Sequence, residues 1–447
     1  MFDLIKEAQK LIAIRSDGDR GTMEIVRHLI PFCRQLGFHL TLQPALNGQA
    51  ELEMNLIAHT VFEGSLDLCP GGLLWVTHLD TVPAGNLSLW TETSGDPFCP
   101  TLREDKIYGL GSADTKLDFL CKLKAIENVG LKQVKIPFAL IGTFGEERAL
   151  AGARLLHESG LIHPQFVLVG EPSEVQPVIA HKGILYMRAV WEAPPHPSPL
   201  PQGEREFKKQ SFHGRAAHGS MPHLGESAIE KAVQWLLQEQ KKNPRLHLQS
   251  ISGGTVHNVV PEFCEIAISE GNGPCPRIAF LHSFFNLIHT ADTYLETHSN
   301  PAFTPPKTTY NVGVIRGNTH RIEIEFDFRL IPETDGNALF EIFKGLALKI
   351  PEARVEVIRS NPPMATDPQS ELVQKVSLAL QTAGLPVRYL VKSGNTEGAI
   401  FNSMGAESVV IGPGKAVGNI HAPNEYNELS QLHQAVDFYT AFLRQFC

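Results

Sequence analysis

Two adjacent glutamates, Glu146 and Glu147, follow the apolar run PFALIGTFG and precede a helix-like stretch. Neighbouring carboxylates can divide the work of a hydrolytic site, because one can bind a metal ion while the other transfers protons. Acidic residues are also common in the first turn of a helix, where the helix dipole stabilises them. The pair therefore indicates metal chemistry only if further ligands lie near it.

Further acids and imidazoles follow short apolar runs elsewhere in the chain. His78 and Asp80 end the run GGLLWVTHLD, Asp114 follows KIYGLGSA, Glu171 follows FVLVG, and His421 follows SVVIGPGKAVGNI. The carboxyl ends of the strands of an open α/β sheet form one crevice, so residues distant in sequence can converge there. Alternation along a strand places residues 78 and 80 on the same side, where Asp80 could orient the His78 ring.

Each of these residues also has a simpler interpretation. His78 and Asp80 could be a hydrogen-bonded pair at a strand end, Asp114 could cap a helix, and Glu171 and His421 could be solvated loop residues. Their joint occurrence nevertheless favours a site for two metal ions. The sequence has no G-x-S-x-G elbow, no G-x-x-x-x-G-K-[ST] phosphate loop, and no cysteine beside a plausible histidine partner.

Composition excludes several classes of partner. With 447 residues and a net charge of -9, the chain lacks the basic surface that nucleic acids or anionic membranes require. No run reaches the roughly 20 apolar residues that span a bilayer. The opening MFDLIKEAQKLIAI has the spacing of an amphipathic helix rather than the apolar block of a signal peptide, so we expect a cytoplasmic protein.

Cysteine usage restricts the choice of metal ligands. The seven cysteines are scattered, odd in number and never two residues apart, which argues against a disulfide framework and a thiolate zinc site. We therefore expect histidine and carboxylate ligands only.

The elements that must position these residues form two patterns. Strand-like and helix-like runs alternate in residues 1–182 and again in residues 363–447, which predicts an α/β unit with a mostly parallel sheet covered by helices. Residues 183–362 instead show period-two strands and two helical runs, which predicts an inserted α+β domain. Within this insert, residues 193–210 are rich in proline and then charged, which predicts an exposed excursion.

With these residues placed, the chain resembles the zinc-dependent M20 family of aminoacylases and exopeptidases. The resemblance covers nearly the whole length and rests on five segments: DPFCPTLREDKIYGLGSADTK, EERALAGARLL, GEPSEVQPVIAHKG, TEGAIFNSMG and VVIGPGKAVGNIHAPNEY. The sequences of these segments are most similar to those of the acetylornithine deacetylase branch. This implies metal-dependent hydrolysis of an N-acyl amino acid, most specifically N-acetylornithine to ornithine and acetate in arginine biosynthesis.

Other activities stay open beside that one. A succinyl-diaminopimelate desuccinylase, a dipeptidase or a carboxypeptidase would belong to the same family. A protein of another class, which binds an amino acid and retains the metal without catalysis, would keep the same fold.

The family pattern also implies a ligand set for two divalent ions, with zinc as the expected metal and cobalt as the alternative. Carried over residue by residue, it places His78, Asp114 and Glu171 around one ion. Asp114, Glu147 and His421 would surround the other.

The remaining site residues are implied in the same way. Asp80 would orient His78, and Glu146 would act as the general base. The insert resembles the family's dimerisation lid, so a homodimer is expected, in which His218 of the segment GRAAHGSMP reaches the partner subunit's site and steadies the oxyanion. Arg329, in EFDFRLIP, would meet the substrate carboxylate.

Overall fold

The computed structural model describes residues 2–18, 20–62, 64–193 and 207–447. The chain divides into two compact units. The first, discontinuous unit comprises Met1–His181, Met364–Lys392 and Thr396–Cys447, and the inserted unit comprises Lys182–Pro363 and Ser393–Asn395. The predicted boundaries, after residues 182 and 362, lie one residue from those of the structure.

Helices and strands alternate along the chain. The first part of the discontinuous unit contains α1 (Leu4–Ala13), α2 (Met23–Leu36), β1 (His39–Leu46), β2 (Leu52–His59), β3 (Leu73–His78), β4 (Thr101–Arg103), β5 (Lys106–Tyr108), α3 (Lys116–Val129), β6 (Phe138–Thr143), α4 (Ala151–Ser159), β7 (Phe166–Gly170) and β8 (Val178–His181). The inserted unit contains β9 (Gly183–Glu192), β10 (Lys208–His213), α5 (Ala228–Lys242), β11 (Leu246–Gly253), β12 (Phe263–Glu270), α6 (Pro276–Leu295), β13 (Thr309–Gly317), β14 (Arg321–Leu330), α7 (Gly336–Lys349) and β15 (Ala353–Asn361). The second part of the discontinuous unit contains β16 (Met364–Ala365), α8 (Glu371–Thr382), β17 (Leu390–Lys392), α9 (Gly398–Ser403), β18 (Glu407–Val410), β19 (Tyr426–Glu428) and α10 (Leu429–Arg444).

The discontinuous unit is built on a nine-stranded sheet with the order β1-β2-β6-β3-β7-β18-β8-β16, in which β17 also pairs with β8. The four central strands β6, β3, β7 and β18 are mutually parallel. The pairs β1–β2, β2–β6, β18–β8 and β8–β16 are antiparallel. The predicted α/β class is confirmed, with a parallel centre that antiparallel strands flank.

Helices cover both faces of this sheet, and the alternation of β3 shows how. Leu73 and Trp75 point into an apolar core with α1, α2, α3, α8 and α10, whereas Leu74 and Val76 point into a second core with α4 and α9. Every residue of β3 is therefore buried, as expected for a parallel strand with both faces covered. Because the central strands are parallel, their carboxyl ends lie along one edge.

The inserted unit is an antiparallel sheet with helices, which agrees with the predicted α+β class. Its seven strands have the order β10-β12-β11-β13-β14-β9-β15. The helices α5, α6 and α7 share one apolar core with the sheet, in which Phe284, Phe326 and Phe343 are fully buried.

Two expectations about local structure were wrong. The helix expected directly after the glutamate pair begins only at Ala151, because Ala149 and Leu150 adopt left-handed φ angles of 73° and 61°. Lys208–Gln210, which the proline-rich excursion was expected to include, form the first half of β10 and pair with β12. The rest of that excursion, apart from Ala193 and Phe207, lies outside the described residues.

Two further properties follow from the described part of the chain. No helix there combines the length and the apolar character that crossing a membrane would require. All seven cysteines are free thiols, five of them buried.

Candidate metal centre

Five proposed ligands converge at the carboxyl edge of the parallel strands. β3 ends at His78, and β7 ends at Gly170, directly before Glu171. Asp114 lies two residues before the start of α3, next to its N-cap residue Thr115. Nε2 of His78 lies 3.0 Å from Oδ1 of Asp114 and 3.8 Å from Oε1 of Glu171. These three side chains, which sequence reasoning assigned to one ion, therefore face one another.

The second proposed ligand group shares Asp114 with the first. Nε2 of His421 lies 3.2 Å from Oδ2 of Asp114 and 3.0 Å from Oε1 of Glu147. The two oxygens of the Asp114 carboxylate thus face two different histidines, His78 and His421. A carboxylate in this orientation is suited to bridge two cations.

Asp80 contacts the glutamate pair through its carboxylate. Its Oδ1 and Oδ2 accept hydrogen bonds from the backbone N–H groups of Glu146 and Glu147, at 3.1 and 3.3 Å. Nδ1 of His78 donates to the backbone oxygen of Asp80 at 3.0 Å, and lies 3.7 Å from Oδ1. Asp80 therefore touches His78 mainly through its main chain and fixes the glutamate pair through its side chain.

Backbone geometry at the site is unusual. His421 has a φ of 56°, a left-handed conformation that costs free energy for a residue other than glycine. Ala149 and Leu150, which follow the glutamate pair after Arg148, share this conformation. Such outliers cluster at functional sites, where the surrounding structure enforces them.

The carboxyl groups of the site repel one another in a buried environment. Burial, together with the nearby charges of Glu171 and Glu147, raises the pKa of Glu146 well above its usual range. Burial and the charge of Asp114 raise the pKa of Glu171 to about 8. Burial also raises the pKa of Glu147, although a hydrogen bond from His421 opposes the shift. The site therefore holds more carboxyl groups than its positively charged side chains can balance.

In the two imidazoles and in Asp114, by contrast, the pKa shifts favour the charged form. Hydrogen bonds to Asp114 and Glu147 raise the pKa of His421 to about 11. Burial lowers the pKa of His78, but hydrogen bonds to Asp114 and Asp80 outweigh it, so the pKa lies well above its usual range. Burial likewise raises the pKa of Asp114, yet hydrogen bonds from His421 and His78 hold it well below its usual value.

These donors fit divalent cations. Among the described residues, two groups have ligand atoms within 4.8 Å of one another: His78 with Glu146 and Glu171, and His78 with Asp114 and Glu147. Imidazole nitrogen and carboxylate oxygen are the donors found in catalytic zinc sites. Divalent ions would neutralise the excess acidic charge. Because Glu146 belongs to one group, it could act as a ligand or as a base.

Two buried acids near the site escaped sequence reasoning. Oε1 of Glu425 accepts from the backbone N–H groups of Ala113 and Asp114, at 2.8 and 3.0 Å. Oε2 of Glu397 accepts from the hydroxyl of Thr143 at 2.9 Å, at the end of β6. Glu425 stands four residues after His421 in HAPNEY, so its proximity to a proposed ligand was the available signal.

His218 lies in the inserted unit, on the segment that follows β10. The backbone N–H of Ser220 donates to its Nδ1 at 3.2 Å, so Nδ1 acts as an acceptor. Burial, and then the charge of Arg329, lowers the pKa of His218. The ring is therefore neutral near pH 7, with its proton on Nε2.

Arg329 lies on β14 of the same unit and is largely buried. Its Nε donates to Oδ2 of Asp327 at 2.8 Å. Its positive charge also lowers the pKa of His257, after the larger effect of burial. Arg329 therefore places a fixed cation near two histidines of the inserted unit.

The carboxyl edge of the parallel sheet gathers two imidazoles and five carboxyl groups, an arrangement typical of metal-dependent hydrolases. The sequence profile of "Peptidase family M20/M25/M40" matches residues 74–445, and the chain belongs to this family. The resemblance inferred from its motifs is thereby confirmed.

Three known proteins illustrate the similarity. An acetylornithine deacetylase of Photorhabdus laumondii subsp. laumondii is 26% identical over 443 residues, which cover 96% of this chain and 92% of that protein. The structure of an aminoacylhistidine dipeptidase from Vibrio alginolyticus matches with a TM-score of 0.68 at 15% identity, covering 99% of this chain and 96% of that one. An M20 family metallo-carboxypeptidase from Sulfolobus solfataricus matches with a TM-score of 0.64 at 17% identity, covering 100% and 99%. At these identities the two structures show a shared fold.

Proposed function

We propose that this protein hydrolyses the amide bond of an N-acyl amino acid, with N-acetylornithine as the first substrate to test. The observation that carries the reaction class is the shared Asp114 carboxylate, whose two oxygens face His78 and His421. The proposed specificity for acetyl and ornithine groups is supported by the sequences of the motifs and by the 26% identity to an acetylornithine deacetylase.

His78, Asp114 and Glu171 would hold one divalent ion, and Asp114, Glu147 and His421 the other. When bound, such ions supply a Lewis acid that activates water near neutral pH and polarises the scissile carbonyl. Zinc suits this donor set, and cobalt is a reasonable substitute in the test.

Glu146 is proposed as the general base. Its side chain lies within the cluster, and Asp80 fixes its backbone N–H. Its pKa is raised by burial and by neighbouring carboxylates, which brings it closer to the working pH of a proton carrier. Glu146 would take a proton from the attacking water and give it to the leaving amine.

The inserted unit would contribute two groups. The Nε2–H of His218 is suited to donate a hydrogen bond to the tetrahedral oxyanion. The guanidinium of Arg329 is suited to bind the carboxylate of the amino acid. As the family resemblance implies, we propose a homodimer that forms through this unit, in which His218 acts on the site of the partner subunit. A cytoplasmic location completes the proposal.

A single experiment tests the function. Purified protein is stripped of metal, supplemented with Zn²⁺ or Co²⁺, and assayed on acetyl, succinyl and peptidyl substrates, with metal content measured on the same sample. Metal-dependent release of ornithine from N-acetylornithine, faster than turnover of the other substrates, is expected. Preferred succinyl or peptidyl turnover would assign the chain to a desuccinylase or a peptidase. Metal binding without any turnover would favour a binding protein.

A further inference from the structure

A buried ionic cluster lies in the discontinuous unit behind the carboxyl edge of its sheet. We define the Asp118 cluster as Thr77, Asp118, Lys122 and Tyr439, each at most 1% exposed. Removing a charged pair from water costs several kcal/mol per ion, unless good geometry and further hydrogen bonds compensate. Because the charged pair in this cluster is costly to bury, the cluster suggests a role beyond packing.

The carboxylate of Asp118 is satisfied on both oxygens. Oδ2 accepts from the Thr77 hydroxyl at 2.6 Å and from Nζ of Lys122 at 2.7 Å, and Oδ1 accepts from the Tyr439 hydroxyl at 2.6 Å. Nζ of Lys122 also donates to the backbone oxygen of Val76 at 2.7 Å and to the Thr77 hydroxyl at 2.9 Å. The geometry is thus complete enough to hold its neighbours at fixed distances.

Two neighbours of the cluster are the residues directly before proposed ligands. Thr77 precedes His78 at the end of β3. Gly170 precedes Glu171 at the end of β7, where an added Cβ would lie 1.8 Å from Oδ2 of Asp118. Only glycine therefore lets the backbone of β7 approach the carboxylate so closely. Thr77 and Gly170 are directly paired in the sheet, so the Asp118 side chain packs against both strand ends that carry ligands.

The third connection runs through α3. Asp118 lies in the first turn of this helix, and its backbone N–H donates to the oxygen of Thr115 at 3.0 Å. Thr115 directly follows Asp114 in the sequence. The Asp118 carboxylate therefore fixes the start of α3, and with it Asp114, against the ends of β3 and β7.

We propose that Asp118 is a positioning residue that holds His78, Asp114 and Glu171 at the spacing one ion requires. This rests on the proposed function, because it assigns those three residues to one ion. The other ion takes two of its ligands from elsewhere: Asp80 holds the backbone of Glu147, and His421 lies on the loop after β18. Loss of the Asp118 cluster should therefore weaken the binding of the two ions to different extents.

The test compares metal binding by the wild type and by the double variant Asp118→Asn/Lys122→Met. Asparagine keeps the size and one acceptor oxygen, and methionine removes the ammonium, so no unpaired buried charge remains. Calorimetric titration of the chelator-treated full chain with Zn²⁺ is expected to show one binding step weakened about 10- to 100-fold. Saturating Zn²⁺ should restore most of kcat, since Asp118 acts only through the ligands.

A matched control is Thr22→Val. The Thr22 hydroxyl is fully buried in the same unit and is hydrogen-bonded with the backbone of Met54, on a strand that carries no proposed ligand. This variant should lower thermal stability without changing either binding step. A merely structural cluster would make the double variant behave like this control.

Each result decides the proposal. Unchanged binding steps, or two steps weakened equally, would overturn it. If the double variant does not fold, Tyr439→Phe replaces it, because it removes a single hydroxyl, which hydrogen-bonds to Oδ1 of Asp118 and to the backbone oxygen of Ile411. Zn²⁺ affinity in the same single binding step must then fall, by a smaller factor. Unchanged affinity in that step would reject the proposal that Asp118 positions the ligands. A wild type that binds no ion would refute the proposed function itself, whereas an unaffected variant refutes only this inference.

Discussion

Oδ1 of Asp80 accepts a hydrogen bond of 3.1 Å from the backbone N–H of Glu146. The neighbouring N–H, of Glu147, binds the other oxygen of the same carboxylate. One side chain thus orients a proposed base and a proposed ligand together, although the sequence suggested that it orients His78.

Replacing Asp80 with asparagine tests this relationship. The amide has one acceptor oxygen, and its NH₂ group would face a backbone N–H, so the glutamate turn should shift. We expect kcat to fall about 10- to 100-fold, as measured by steady-state kinetics at saturating metal. If kcat is unchanged, the carboxylate is not needed to place the glutamate pair.

Glu146→Gln separates a base from a ligand. The amide is isosteric but does not take up a proton, so kcat should fall about 100- to 10,000-fold while both ions stay bound. Glu147→Gln is the matched comparison, and it should lose metal instead. Elemental analysis of both proteins checks the assignment. Loss of metal from Glu146→Gln would identify Glu146 as a ligand.

Metal binding should release protons. In the metal-free protein the pKa of His421 is raised to about 11, so the ring is protonated near pH 7. The stabilisation this provides is complete below the unfolded value of 6.5 and is lost as the pH rises through about 11. A ligating imidazole must be neutral, so its proton leaves when metal binds.

Zinc affinity should consequently rise with pH, by about tenfold per unit for each proton released. Calorimetry in buffers of different ionisation enthalpy counts these protons, and His421→Ala should release about one fewer. Binding heats that do not depend on the buffer would contradict the protonation of the apo site.

Mixed subunits test whether His218 acts across a dimer. Glu146→Gln and His218→Ala should each be nearly inactive alone. In a hybrid dimer, one site would combine an intact Glu146 with an intact partner histidine, so refolding a one-to-one mixture should restore about a quarter of the wild-type activity. Recovery below a few per cent would show that His218 acts within its own subunit, whereas an active His218→Ala protein would show that it has no catalytic role. Light scattering on the same sample should report twice 49.3 kDa.

Arg329→Gln should raise KM with little change in kcat, because the guanidinium is proposed to bind a substrate carboxylate that does not react. The substitution also leaves Asp327 buried without its cation. Asp327→Asn/Arg329→Gln controls for this loss. Equal KM values for both variants would assign the effect to Arg329, and an unchanged KM would remove it from the binding site.

Part of the fold could be predicted because hydrophobic periodicity is local. The buried strands β3, β6 and β7 lie in the apolar runs, and the amphipathic α1 lies in the opening segment, where the pattern placed them. The helix α6 was not anticipated, because its apolar residues, among them Phe280, Leu281, Phe284 and Phe285, surround much of its circumference. The polar β10 gave no signal either, because it pairs on one side only.

The same reasoning applies to the site. The ligand types and their positions after strands were readable, and the structure brings all five together. The hydrogen bond from the Glu146 N–H to the Asp80 carboxylate depends on a turn that contains residues with left-handed φ angles. The hydrogen bond from the Asp114 N–H to the Glu425 carboxylate depends on contact between two segments that are distant in sequence. Neither of these contacts produces a periodic pattern in the sequence that could be used to predict it.

The order of ligands along the chain has a consequence for biogenesis. His78, Asp114, Glu147 and Glu171 are synthesised before the insert, and His421 comes about 250 residues after the last of them, a separation that makes this contact slow to form. With the ligand set proposed above, the site of the second ion is complete only after His421 has been synthesised, whereas the three residues proposed for the first ion all precede the insert. Loading of the second ion is therefore expected late in the maturation of this protein.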